Sequence, residues 1–253
     1  MRILVCLKQV PDTTEVKVSS NFTLERDFVA QVMNPADESA LELGLRLREK
    51  LGGQVTAITM GPKRAETMLR EALSRGADEA ALMTDPAFAG ADTLVTAQCL
   101  KAAADTLGPF DLILCGRRAV DGETGQVGPM LASLLNMACV PNLTGAEAEE
   151  NGIVARQLTE RGEITWRCPL PALLTLCEWS YPLRLPSILG LKKARKAEMR
   201  YLTPADLSIG CCGLKASPTR VIGISTAPTG VRPCKKMALP EVIDALREGG
   251  LLP

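Results

Sequence analysis

At 253 residues the chain is long enough to bury a full core, in one large domain or two small ones. Its 29 lysines and arginines balance its 29 aspartates and glutamates, so no global field argues for nucleic acid or a membrane surface, and aromatic residues, at 3%, are too scarce for base-stacking platforms. The chain contains no histidine, which excludes a histidine general base, a Ser-His-Asp triad and any histidine-ligated metal. No catalytic side chain and no metal site are expected. No run approaches the roughly 20 apolar residues that span a bilayer. Met1 leads straight into an apolar run with no secretory signal, so no membrane insertion and a cytoplasmic address are expected. The nine cysteines include no CxxC, and an odd count without a leader reads as reduced thiols. Cys6, Cys115 and Cys177 lie in apolar runs, where a thiol acts as a small hydrophobe, and the neighbouring pair Cys211-Cys212 is the candidate for oxidation.

In chain order, Ile3–Leu7 is a continuous apolar run, as expected of a parallel strand buried on both faces. Asn34-Pro35 predicts a helix start, with Asn34 as cap and Asp37 and Glu38 complementing the dipole. Ala40, Leu43, Leu47 and Leu51 keep helical spacing until Gly52-Gly53. A strand over Val55–Met60 follows, then a helix carrying Ala65, Met68, Leu69 and Ala72 that stops at Gly76. Ala80–Met83 is a short strand, and after the loop DPAFAGADT Asp92 caps a helix bearing Val95, Leu100, Ala103 and Leu107. The strand DLILC then breaks into a loop with Gly116, Gly122, Gly125 and Gly128, which turns helical at QVGPMLASLL.

That loop is the most informative stretch of the chain. A strand opening through glycines onto a helix start gathers unpaired backbone N–H groups at the positive end of a helix dipole, a recipe for holding phosphate. If this strand lies beside the first one, the two ends form a nucleotide crevice. There is no GxxxxGK[ST] and no strict GxGxxG after the first strand, so neither a P-loop nor a standard Rossmann fingerprint is present. Beyond Pro141 the rhythm changes. Ile153–Leu158 and Glu163–Arg167 read as a hairpin joined by TERG, and ALLTLC is another buried strand. The proline-rich EWSYPLRLPS leads to the basic run Lys192–Arg200, expected to be a solvated face. Trp166 is expected in the core and Trp179 at an interface. From Leu202 apolar periodicity is poor until the short helix PEVIDALREGG, so this tail reads as an arm that packs on something else.

Seven motifs stand in a definite order: VCLKQVPDT, MNPADESALE, ITMGP, EALSRGADEA, AFAGADT, AVDGETGQVGP and PLPALLT. Together they resemble the β subunit of electron transfer flavoprotein, closely to about Lys196 and more loosely through GLKASPTRV. The resemblance implies an α/β fold: a Rossmann-like parallel sheet with helices on both faces, a small β-hairpin extension and a C-terminal arm. It implies a nucleotide-binding domain over residues 1–200, hairpin included, and an arm over 201–253 that packs on a partner α subunit. It also implies a heterodimer whose α subunit holds the electron-shuttling flavin, and a dehydrogenase or reductase as further partner.

In the housekeeping group of that family the crevice holds AMP. In the electron-bifurcating group it holds a second FAD beside which NADH delivers hydride, with ferredoxin or flavodoxin as low-potential acceptor. The loops KQVPDTTEVK, AFAGADT and DGETGQVGP resemble the bifurcating group, and Gly125 leaves room for a pyrophosphate, which favours FAD over AMP. Carried over by position, Cys6 and Leu7 border the adenine or ribose, Asn34 closes the pocket, and Met60 and Gly61 line it. Asp121 orients the ribitol or ribose, and Thr124, Gly125, Gln126 and Val127 bind phosphate. Lys8, Val10, Asp12 and Thr13, with Gly90, Asp92 and Thr93, flank the flavin and nicotinamide side. The family's Asn-x-Pro-Arg-Tyr pattern is replaced here by Ser180-Tyr181-Pro182-Leu183-Arg184, so the choice of dehydrogenase does not transfer. The reading from another class is a free-standing nucleotide-sensing α/β module, against which the coreless Pro- and Gly-rich tail argues.

Overall fold

A computed structural model of the protein describes residues 1–12, 30–149, 152–223 and 234–252. The chain opens with β1 (Arg2–Cys6), then β2 (Gln9–Pro11) and β3 (Gln31–Met33), which pair antiparallel as a separate ribbon. Next come α1 (Pro35–Leu51), β4 (Gln54–Met60), α2 (Glu66–Arg75), β5 (Glu79–Met83), α3 (Thr93–Leu107), β6 (Leu112–Gly116) and α4 (Val127–Leu134). This is the alternation that the apolar spacing predicts. The main sheet runs in the order β5-β4-β1-β6 through this half, all parallel. Because β1 connects outward to β4 on one side and lies against β6 on the other, the strand order reverses there. The crevice of such a sheet opens at the carboxyl ends of those two strands.

Side-chain alternation along β1 splits the interior into two layers. Ile3, Val5 and Leu7 join α1 and α2 on one face, while Leu4 and Cys6 join α3 and α4 on the other. Helices therefore cover both faces, and that is why the strands read as unbroken apolar runs.

The second half completes the sheet. β7 (Ala138–Glu149), β8 (Gly152–Thr159), β9 (Gly162–Cys168) and β10 (Ala172–Leu176) extend it in the order β6-β10-β7-β8-β9, with β8 and β9 forming the predicted hairpin. β7 is absent from the sequence expectation, because Pro141-Asn142 reads as a turn. It begins parallel to β10 and continues antiparallel to β8. The change of partner falls at a bulge where Asn142 adopts φ 58° and its N–H donates to Thr175 Oγ1 at 3.0 Å. Trp166 corrects an expectation: it lies on β9 at the sheet edge, 46% exposed, with its indole N–H donating to Gln157 Oε1 rather than reaching the core.

α5 (Ile188–Lys196) packs on α2, burying Ala194 and leaving its lysines and arginines in solvent. β11 (Arg200–Leu202) adds to the free edge of β5, and Leu207 and Cys212 bury themselves in the second layer before the four-residue α6 (Gly213–Ala216). The compact body thus runs from Met1 to Arg220. Residues 203–216 pack there without a regular period, which is why their core contribution is invisible in the sequence. The second unit, Val221–Pro253, carries α7 (Leu239–Glu248), and none of its described residues is buried.

Candidate nucleotide-binding crevice

The crevice is built on the first turn of α1. Asn34 occupies the cap position with extended backbone, yet its side chain makes no cap bond. It turns outward instead: its amide donates to Asp37 Oδ1 at 3.1 Å and to the Arg118 carbonyl at 2.9 Å, and its Oδ1 accepts from the Val120 N–H at 3.1 Å. Asp37 likewise does more than complement the dipole. Its Oδ2 accepts from the Lys8 N–H at 2.7 Å, just past β1, and its Oδ1 from the Gly116 N–H at 3.0 Å, at the end of β6. One buried carboxylate therefore knits the ends of the two central strands to a helix start. Burial pushes the Asp37 carboxyl up to about 7, against the Asn34 amide, the two N–H donors and the Lys8 charge, all of which pull it down.

Gly116 is what lets Asp37 in. A Cβ there would stand 2.2 Å from Asp37 Oδ1 and 2.7 Å from Ala36 Cβ. Beyond it the loop closes over the crevice. Lys8 Nζ pairs with Asp121 Oδ1 at 2.6 Å, joining the β1 end to the glycine loop. Arg117 and Arg118 both pair with Glu178, which follows β10, at 2.7 and 3.3 Å. Glu123 and Gly125 take left-handed backbone, φ 51° and 62°, a conformation that glycine adopts without strain. The backbone N–H groups of Thr124, Gly125, Gln126 and Val127 find no acceptor among the described residues, and they stand at the start of α4. Gly128 sits where a Cβ would come within 2.7 Å of Thr175 Cγ2, which holds that helix start close to the sheet.

A second helix start lies alongside. Asp92 caps α3 by accepting from the Val95 N–H at 3.0 Å, and Thr93 Oγ1 donates to Gln126 Oε1 at 2.9 Å, so α3 and α4 begin together. Asp92 Oδ2 also accepts from the Thr219 hydroxyl at 2.7 Å and its N–H at 3.1 Å. Gly90, at φ 72°, lies against Leu214. Gly90 and Asp92 thus clasp the end of the compact body. Asp92→Ala is expected to cost about 1 kcal/mol through the lost cap. The bonds from Val95 and Thr219 hold the Asp92 carboxyl below its usual range. Its stabilisation is therefore present above the unfolded value near 3.9 and lost as pH falls through the lower folded value. Thermal melts of native and variant protein should differ at pH 7 and converge in acid.

The structure brings Lys8, Asn34, Asp121, Thr93 and the Thr124–Val127 loop into one network. Cys6 is buried at the end of β1 opposite Cys115, and Met60 ends the adjoining β4, after which the Gly61 N–H donates to the Met83 carbonyl. Leu7 and Val10 are buried, and Leu7 belongs to the α1 layer, so they support the crevice from below. Asp12 ends the ribbon with its N–H on the Ala30 carbonyl, and Thr13 lies outside the described residues. Sequence reasoning missed Asp37 as an organising group. The available signal was an aspartate three residues after Asn34, together with a glycine closing an apolar strand. A separate apolar indentation of about 370 Å³, lined by Phe110, Ile113, Leu135 and Met137, opens near the start of β6, away from these donors.

The cysteine expectations separate. Cys6, Cys115 and Cys177 are buried, but Cys211 is exposed while Cys212 is buried, its thiol donating to the Ala87 carbonyl at 3.2 Å. Burial, then Cys211, push the Cys212 thiol up. Among the described residues no cluster of metal-ligating side chains occurs, and no helix is long and apolar enough to cross a membrane.

Comparison with known proteins agrees with the motif order. Residues 21–207 match the electron transfer flavoprotein domain. The chain is 45% identical over 233 residues to the electron transfer flavoprotein subunit beta of Thermoanaerobacterium thermosaccharolyticum, covering 90% of this chain and 89% of that one. It is 40% identical to the caffeyl-CoA reductase-Etf complex subunit CarD of Acetobacterium woodii (90% and 88% covered) and 38% identical to the protein FixA of Azorhizobium caulinodans (87% and 83%). With the family match over most of its length, the α/β sheet and the ordered motifs, the chain belongs to the electron transfer flavoprotein family and is a β subunit that takes part in electron transfer.

Proposed function

We propose that this β subunit pairs with an α subunit and holds FAD in the crevice at the ends of β1 and β6, where it receives electrons from NADH. The observation that carries the reading is the row of N–H groups at Thr124–Val127, without an acceptor among the described residues and held at a helix start beside the Lys8–Asp121 pair. The chain's residues fit the group. Gly125 carries no side chain over the loop N–H groups, and only the Arg117 carbonyl lies near where a Cβ would stand, at 3.4 Å, so a phosphate can approach the backbone closely. Lys8 and Asp121 supply a cation and an acceptor for phosphate and ribityl or ribose hydroxyls. The chemistry available when FAD is bound is hydride acceptance from NADH, then single-electron transfer to the α-subunit flavin and to an acceptor such as ferredoxin or flavodoxin. The protein needs no acid–base side chain for this, in keeping with a chain without histidine.

The same donors would serve the phosphate of AMP in a subunit that performs no redox chemistry, which is the second reading. Two surfaces suit partners. The unit Val221–Pro253, with its exposed Leu239 and Leu251, is the segment to pack on the α subunit. The exposed Trp179, Leu185, Ile188 and Leu189 form the apolar face for a dehydrogenase or reductase. Anaerobic titration of the αβ complex with NADH tests the function. The β-bound FAD should bleach with stoichiometric NADH without any dehydrogenase present. Flavin that stays oxidised until a reduced dehydrogenase is added would point to the AMP-type carrier.

A further inference from the structure

α3 and α4 begin side by side, and a side-chain bond joins them: the Thr93 hydroxyl donates to Gln126 Oε1 at 2.9 Å. Each end of that bond is placed independently of it. Thr93 is the first residue of α3, directly after Asp92, and Asp92 is held from several sides. Its Oδ1 accepts from the Val95 N–H, its Oδ2 accepts from the Thr219 hydroxyl and N–H, and its own N–H donates to Ser217 Oγ at 2.9 Å. The Thr93 hydroxyl therefore rises from a fixed platform. Gln126 holds the cap position of α4, yet its side chain makes no cap bond there. It reaches to α3 instead and stays exposed.

A glutamine amide has nearly the same shape at its two ends and opposite polarity, so turning it over exchanges an acceptor for two donors. The Thr93 hydroxyl carries one hydrogen, and Gln126 Oε1 accepts it. With the oxygen so engaged, the NH2 group is the end turned away from Thr93, and it finds no acceptor among the described residues. It belongs to the same helix start as the N–H groups of Thr124–Val127. An anion there meets donors from backbone and side chain alike, whereas the reversed amide would show it an oxygen.

We propose that Thr93 is a positioning residue for phosphate: by holding Gln126 Oε1 it commits the Gln126 amide to present its NH2 group to the phosphate of an adenosine nucleotide. Preference for an anion then resides in a bond between two helix starts as well as in the loop backbone. The inference rests on the crevice being the nucleotide site, and it applies to FAD and AMP alike, because both carry phosphate.

The nucleotide-depleted αβ complex is titrated calorimetrically with FAD and, in a separate arm, with AMP. The FAD taken by the α subunit appears as a step common to all variants. Gln126→Leu should weaken binding in the β crevice by roughly tenfold, the loss of one hydrogen bond to a charged group. Thr93→Val keeps the shape but lets the amide turn over, and should weaken binding by about three- to tenfold. Thr93→Ser should restore it. Gln126→Glu still accepts from Thr93 but turns a carboxylate toward the phosphate, so it should bind more weakly than Gln126→Leu. The double variant shows whether Thr93 acts through Gln126. It should bind no more weakly than Gln126→Leu alone, a non-additivity that a general loosening of the α3 start would not produce. Losses that multiply in the double variant, or native affinity in Thr93→Val or Gln126→Glu, overturn the inference alone. A complex whose β crevice takes neither FAD nor AMP overturns the crevice reading and the inference together.

Discussion

Replacing Gly116 by valine should lower the melting temperature of the complex by roughly 6–12 °C and leave the β crevice without nucleotide. The reason is spatial. The first atom added already stands 2.2 Å from Asp37 Oδ1, with Ala36 Cβ at 2.7 Å and the Ala36 carbonyl carbon at 2.9 Å. Asp37 Oδ1 ends a short side chain held by three hydrogen bonds, and Ala36 contributes its Cβ and backbone, so the start of α1 must lift away from β6. Overpacking of this kind costs about 3 kcal/mol when the backbone has to move. The movement also separates Asp37 from the Lys8 and Gly116 N–H groups and Asn34 from the loop at 118–120, so loss of the site accompanies loss of stability. Gly122→Ala is the matched control. It lies in the same loop with nothing within 4 Å, and should change neither the melt nor the bound nucleotide. Differential scanning calorimetry and quantitation of released nucleotide on both variants decide the matter.

The second large effect is expected at Arg184. Glu42 on α1 is 3% exposed, and the Arg184 guanidinium covers it, Nε donating to Oε2 at 2.9 Å and Nη2 to Oε1 at 3.1 Å while also engaging Glu49. Burial pushes the Glu42 carboxyl up, but the bonds from Arg184 and Arg46 outweigh it and hold it below its usual range. Arg184→Ala would strand that carboxylate, a loss of about 2–3 kcal/mol when Arg46 still supplies one bond at 2.7 Å. It would also release the loop that presents Leu185, 87% exposed, and Trp179, 80% exposed. Denaturant midpoints should fall accordingly, and transfer to the reductase partner should slow while the proposed reduction by NADH is retained. Adding Glu42→Gln should recover part of the stability, because it removes the buried charge. Arg184→Lys should recover little, since a point charge cannot bridge two carboxylates as the guanidinium fork does.

The sequence reveals most clearly what depends on period. The buried parallel strands, the helices between them and the β8–β9 hairpin are all visible as runs, spacings and turn residues. The glycine loop is visible too, because its glycines break an apolar strand just ahead of a helix start. Less visible is what depends on local exceptions. β7 hides behind Pro141-Asn142, since a bulge backed by the Thr175 hydroxyl has the same residues as a turn. Residues 203–216 bury Leu207 and Cys212 without any repeat. Within the site, Asn34 and Asp37 have a helix-start signature, and only their surroundings show the two side chains turned to the crevice. Asp92 has the sequence signature of a helix cap, and the resemblance puts it beside the nicotinamide. The cap is present, and its other oxygen is taken by Thr219.

The proposed flavin site in the β crevice is tested first by the nucleotide content of the αβ complex, purified without added cofactor, denatured, and analysed for FAD and AMP per heterodimer. One FAD from each subunit and no AMP is the expected result of the proposed flavin site. A single FAD accompanied by stoichiometric AMP would contradict it and make this crevice an AMP site.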